Sequence, residues 1–171
     1  MGKREFLAFA GPAARKVEEK TGLSWKALIA VSALETGWGR FVCKEDGKDS
    51  RNLFNIKGKG PAGSVSVYTR EWYTQQKWDD LKKKGVRFEL TGRESRNSRG
   101  KIIEGLLYDD FRAYNTYEES FDDFVRLVQT RYPQAWVVRH DPLLFVQKLA
   151  QGGYATDPAY ADKLSAIIRN L

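Results

Sequence analysis

Residues 25–39 read WKALIAVSALETGWG, and Trp25, Leu28, Ala30, Val31, Ala33 and Leu34 leave almost no polar face. That pattern predicts a helix enclosed by the core rather than one lying on it. Ser24 stands where an N-cap is expected, and Gly37 and Gly39 follow the last apolar turn as stop signals. Glu35, at the far end of this helix, is the only acidic residue between Thr21 and Cys43. Upstream, residues 4–20 predict another helix, with Phe6, Leu7, Ala10, Ala13, Ala14 and Val17 on its apolar side. Pro12 should kink it or start its main part, and Thr21-Gly22 should end it.

Past a polar loop at residues 43–52 the period changes. NLFNIKG and SVSVYTREWY read as strands on either side of a Gly60-Pro61-Ala62-Gly63 turn, with Val65, Val67, Thr69, Glu71 and Tyr73 alternating against Ser66, Tyr68, Arg70 and Trp72. VRFEL and KIIEGLLYDDFRAY read as two more strands around an SRNSRG turn. The helical period returns at Asn115, where Thr116 and Glu119 fit a capping box ahead of Tyr117, Phe121, Phe124, Val125 and Val128. Asp141-Pro142 and Asp157-Pro158 look like two further helix starts. The order predicts an α+β fold in a single domain spanning residues 1–171. A mainly helical lobe faces a small antiparallel β-lobe at about residues 53–114, with a cleft where the two meet.

Composition narrows the chemistry. With 42% apolar and 30% charged residues, the chain has the balance of a soluble globular protein. Cys43 is the only cysteine, so no internal disulfide can form, and with His140 as the only histidine a His/Cys zinc site is excluded. No metal and no cofactor is expected. No apolar run is long enough for a signal peptide or a membrane span, so delivery to any target outside the cytoplasm would use another route or a larger parent protein. The formal charge is +7, and residues 77–101 carry most of it, with nine basic residues against four acidic. Such a patch implies an anionic partner or, equally, a solvated hairpin with none.

Without a metal cluster or a nucleophile triad, carboxylates and tyrosines are the remaining candidates for chemistry. Burial and the negative end of its helix should both raise the Glu35 pKa, as a general acid near neutrality requires. Hydrolysis of a glycosidic bond would need a second carboxylate. Glu71 is the best placed, since a strand can hold it facing the cleft. Asp110, Glu118, Asp122 and Asp123 are weaker candidates, and the cap already explains Glu119. On its own, Glu71 reads as a strand-surface carboxylate paired with a Lys or Arg.

ALETGWG, NLFNIKG, FRAYNTYEESFDDFV and GGYATDPAYADKL occur in an order that resembles glycoside hydrolase family 73, from about residue 6 to residue 171. These are endo-β-N-acetylglucosaminidases that cleave peptidoglycan. The resemblance implies a lysozyme-like fold, with Glu35 as catalytic acid and Glu71 as second carboxylate. It also implies an active-site role for Tyr154 near the scissile bond, a cleft-shaping role for Asn52 and Phe54, and a role for Asp123 in activity or folding. Trp38 is a further candidate for the substrate wall, although Trp38 and Tyr160 would equally serve only to pack. The span at residues 74–107 is longer than the family's usual hairpin, which makes it a candidate for recognising anionic wall polymers through the basic patch at 77–101. The implied partner is the peptidoglycan glycan strand, met by a monomer in the periplasm or outside the cell. A muramidase or lytic transglycosylase on a related fold is the nearest alternative. A basic nucleic-acid-binding or wall-binding module without catalysis is the alternative from another class.

Overall fold

The computed structural model describes residues 1–97, 100–155 and 157–171, with the side chain of Asn97 left aside. Helices α1 (Lys3–Thr21) and α2 (Trp25–Thr36) pack as a pair. Helix α1 already begins at Lys3, so Pro12 is not its start. Ser24 takes the N-cap position of α2, but its hydroxyl caps nothing. Glu18, near the end of α1, instead accepts the Trp25 N–H at 3.1 Å. Every residue from 27 to 33 is buried, and the Ser32 hydroxyl is satisfied within the helix by the Leu28 carbonyl at 2.8 Å. Burying Leu28, Ile29 and Val31 contributes roughly 1.5–3 kcal/mol apiece. That packing, rather than intrinsic propensity, holds a helix of only 12 residues.

At the end of α2, the N–H groups of Gly37 and Trp38 both point to the Ala33 carbonyl. Gly37 adopts φ 55°, a left-handed conformation in which a Cβ is strained. The stretch expected as a plain polar loop contains a small hairpin, β1 (Lys44–Glu45) against β2 (Lys48–Asp49). Asp46 and Gly47 both have positive φ, which is the backbone a two-residue hairpin turn requires.

NLFNIKG is not a strand. Only Lys57 makes an isolated bridge, to Phe111. Leu53, Phe54 and Ile56 enter the helical core, with the Phe54 ring stacked on Phe124 at 4.2 Å. Asn52 takes over the backbone bonding of this segment. Its Oδ1 accepts the N–H groups of Phe54 and Ile56, and its Nδ2 donates to the carbonyls of Ile56 and Arg112.

The sheet consists of β3 (Ser64–Tyr73), β4 (Phe88–Asn97) and β5 (Gly100–Arg112), all antiparallel, in the order β3-β5-β4. Ser98 and Arg99 of the expected turn lie outside the described residues. Glu71 pairs with Gly105 and Val67 with Asp109, so Glu71, Asp109, Leu107 and Phe111 share one face. The opposite face leaves Tyr68 and Tyr108 exposed to solvent.

Between β3 and β4 lies a helix that the sequence reading missed, α3 (Gln75–Lys83), with Thr74 accepting the Lys77 N–H as N-cap. Its Trp78 is fully buried over Ile103 and Leu107 and donates Nε1–H to the Ile103 carbonyl at 3.0 Å. The β-lobe therefore has a small core of its own.

Four helices complete the chain: α4 (Tyr117–Arg131), the unexpected α5 (Pro133–Val137), α6 (Pro142–Gln151) and α7 (Tyr160–Arg169). The Thr116 cap is present, and Glu119 reaches back to the Asn115 N–H at 2.8 Å rather than to that of Thr116. Asp141 caps α6 as expected. Asp157 does not start α7. It folds a turn ahead of it, accepting the Ala159 N–H at 2.9 Å. Among the described residues no helix is long and apolar enough to cross a membrane.

Candidate active site

A cavity of about 440 Å³ opens where the end of α2, the segment at residues 54–57 and the inner face of the sheet converge. Glu35 and Glu71 both line it, along with Phe54, Asn55, Lys57 and Tyr154.

Glu35 is the last residue but one of α2, where the negative helix end disfavours a second negative charge. Burial holds its carboxyl above the ordinary value of 4.5, against two hydrogen bonds that favour ionisation. One comes from the Tyr160 hydroxyl to Oε1 at 2.8 Å, and the other from Asn55 Nδ2 to Oε2 at 3.4 Å. Asn55 Nδ2 also donates to the Glu35 backbone carbonyl at 2.8 Å. Asn55 adopts φ 49°, a left-handed conformation that asparagine tolerates better than most residues. The result is a carboxyl at the cavity wall whose neutral form burial favours.

Glu71 has different surroundings. Its Oε1 lies 2.7 Å from Lys57 Nζ, which also meets Asp109 Oδ2 at 2.7 Å and the Tyr73 hydroxyl at 2.8 Å. Burial works against the Lys57 ammonium, but these three partners hold its pKa above the usual lysine range. Glu71 is thus both a cavity carboxylate and a strand residue paired with a lysine.

Tyr154 reaches the cavity but not the Glu35 carboxylate. Its hydroxyl donates to the Phe54 carbonyl at 3.1 Å, and its ring lies against Tyr160 at 5.9 Å. Burial first, and then the nearby Glu35, push both tyrosines well above their ordinary pKa. Both remain hydrogen-bond donors.

Asn52, Asp123 and Trp38 do not line the cavity, and neither do the weaker candidates Asp110, Glu118 and Asp122. Asn52 is fully buried, with its amide spent on backbone groups of the loop and of β5. Asp123 lies behind the wall, accepting from Tyr114 Oη at 2.7 Å and Arg112 Nη1 at 2.8 Å, which ties β5 to α4. Trp38 packs edge-on against Phe6 at 5.9 Å. Conversely, Asn55, Lys57 and Tyr160 touch the two carboxylates without having been singled out for that. Tyr160 carried a usable signal. A tyrosine heading the buried stripe Tyr160, Leu164, Ile168 needs a polar partner for its hydroxyl, and Glu35 was the one acid available at a buried helix end.

Among the described residues, no group of three or more His, Cys, Asp or Glu is placed to hold a metal ion. Three of the nine basic residues at 77–101 meet carboxylates: Lys83 with Asp80, Lys101 with Glu94, and Arg93 with Glu104. Lys82, Lys84, Arg87 and Arg96 are exposed and have no carboxylate partner among the described residues.

The glucosaminidase family model, described as mannosyl-glycoprotein endo-beta-N-acetylglucosaminidase, matches residues 11–171. The chain belongs to this family. The peptidoglycan hydrolase FlgJ of Pseudomonas aeruginosa is 35% identical over 170 residues, covering 98% of this chain and 36% of that protein. The FlgJ of Salmonella typhimurium is 32% identical over 171 residues, which is 46% of its length. The chain thus spans less than half of these curated relatives. Among solved structures, a peptidoglycan hydrolase mutant from Sphingomonas sp. A1 superposes with a TM-score of 0.68 at 33% identity, covering 96% of this chain and 91% of that one. The glycoside hydrolase domain of Salmonella typhimurium FlgJ gives 0.66 at 28% identity, covering 99% and 88%. The α+β arrangement is that of these lysozyme-like glycoside hydrolase domains.

Proposed function

We propose that this family member hydrolyses the β-1,4 glycosidic bond between N-acetylglucosamine and N-acetylmuramic acid in peptidoglycan. The observation that carries the reading is the pairing of unlike carboxylates in one cavity. Burial shifts Glu35 toward its acid form, and Glu71 is held in an ion pair by Lys57. Glu35 gives its proton to the departing glycosidic oxygen as the C–O bond breaks. Glu71 activates the incoming water or balances the positive charge that develops on the sugar ring. Relatives named peptidoglycan hydrolase, autolysin and exo-glucosaminidase support the same substrate.

The site of action is the bacterial cell wall, in the periplasm or at the cell exterior. The protein works as a monomer. The unpaired Lys82, Lys84 and Arg87 meet anionic wall polymers through screened attraction, so wall binding weakens with added salt.

The deciding experiment digests purified peptidoglycan, reduces the products with borohydride and identifies the sugar carrying the new reducing end. Reduced N-acetylglucosamine supports the proposal. Reduced muramic acid makes the protein a muramidase, and anhydro-muramic ends make it a lytic transglycosylase. Steeply salt-dependent DNA binding with no wall hydrolysis removes catalysis altogether.

A further inference from the structure

The segment at residues 52–57 touches both carboxylates. Asn55 donates to Glu35, and two residues later Lys57 binds Glu71. This short stretch is pinned at every point. Asn52 bonds its backbone from within, and Tyr154 holds the Phe54 carbonyl. Arg112 Nε donates to the Lys57 carbonyl at 3.2 Å, and Lys57 bridges to Phe111 of β5. A rigid spacer therefore lies between a helix-borne acid and a strand-borne carboxylate that belong to different lobes.

An ammonium group has three N–H donors. Lys57 commits one to Glu71, one to Asp109 and one to Tyr73, all at 2.7–2.8 Å. None is left for a sugar hydroxyl or an acetamido oxygen, so substrate binding does not explain why a lysine stands in the cavity wall. The three-point grip explains it differently, because it fixes the place of the ammonium and with it the place of the Glu71 carboxylate. Asp109, two places along the same sheet face, supplies a counter-anchor. Without it, the ammonium would be free to follow Glu71 rather than restrain it.

We infer that Lys57 is a positioning residue that acts through Glu71 and sets where the second carboxylate stands relative to Glu35. The inference rests on the proposed glycosidase reading. It predicts a loss in turnover rather than in substrate affinity, since a misplaced catalytic group costs rate while the sugar-binding surface stays intact.

The test compares wild type, Lys57→Met, Lys57→Arg, Glu71→Gln and the double variant Lys57→Met/Glu71→Gln on soluble, uncross-linked glycan strands. Release of reducing ends gives kcat and KM, and thermal melts check that each variant folds. Lys57→Met is expected to lower kcat by about ten- to a hundredfold with KM little changed. Lys57→Arg keeps the charge and should recover part of that loss. In the Glu71→Gln background, Lys57→Met should cost less than about twofold further, because its route to the chemistry is already cut. If Lys57→Met fails to fold, Lys57→Arg with and without Glu71→Gln makes the same comparison. Equal losses in both backgrounds overturn the inference, as does a Lys57→Met effect confined to KM or a fully active Glu71→Gln. Wild-type protein that releases no reducing ends overturns the proposed function instead, and this inference falls with it.

Discussion

The hydroxyl of Tyr160 donates to Oε1 of Glu35 at 2.8 Å, joining the first residue of α7 to the end of α2. Burial and this bond act on the carboxyl in opposite directions, and burial is the larger. The tyrosine therefore limits how far the acid is driven toward its neutral form, and it also fixes the direction in which the acid points.

Replacing Tyr160 by Phe removes the opposing influence. The Glu35 pKa then rises further, so the alkaline limb of the pH–rate profile, where the acid loses its proton, should move to higher pH. A kcat/KM profile of Tyr160→Phe against wild type reads this directly. An unmoved limb would mean that the hydroxyl has no influence on the acid.

Glu35→Gln should lower activity by about two to four orders of magnitude, the range for loss of a general acid. It should also make the protein more stable at neutral pH. The folded pKa of Glu35 lies above its ordinary value of 4.5, so the native state holds the proton more tightly and loses stability as pH rises past that value. Glutamine has no proton to lose. Melting temperatures of the two proteins should diverge above about pH 4.5 and coincide below it.

Asn52→Ala should destabilise the fold by about 3 kcal/mol, since the buried N–H groups of Phe54 and Ile56 lose their acceptor. Activity should fall as well, through the displaced Asn55 and Lys57. Urea unfolding gives the first quantity. Turnover measured on the folded fraction gives the second.

Asp123→Asn weakens the bond between β5 and α4. Burial alone would raise the Asp123 pKa, but the Tyr114 and Arg112 bonds overcome it and hold the carboxyl below its ordinary value of 3.8. The stability this provides is present above that value and is lost as pH falls through the lower folded pKa. The variant should be less stable than wild type by about 1.5–3 kcal/mol at pH 7, with the gap closing in acid. Chemical denaturation at pH 7 and pH 3 tests both parts.

The helical lobe was legible because its signals are local. The apolar surround of α2 and the Thr116 and Asp141 caps lie within a few residues of the elements they define. NLFNIKG misled because its apolar residues suit a strand equally well, whereas Asn52, a side chain, satisfies the backbone that a neighbouring strand would have bonded. Helix α3 offers only Trp78 and Leu81 as an apolar stripe, and the cluster they join is completed by Ile103 and Leu107 from β5. In the site, Glu35 and Glu71 could be named from charge and pattern. The partners that define their states could not. Nothing near Lys57 in the chain announces Glu71, Tyr73 and Asp109, which reach it from two strands.

Gly105 stands opposite Glu71 in the sheet, and a Cβ there would lie 2.6 Å from the Trp78 ring. The indole of α3 thus buttresses the strand pair that presents the second carboxylate. The extra length in the middle of the chain cannot be pruned as though it were ornament. Cutting it back to a bare hairpin would strip Ile103 and Leu107 of their cover on the very face that carries Glu71.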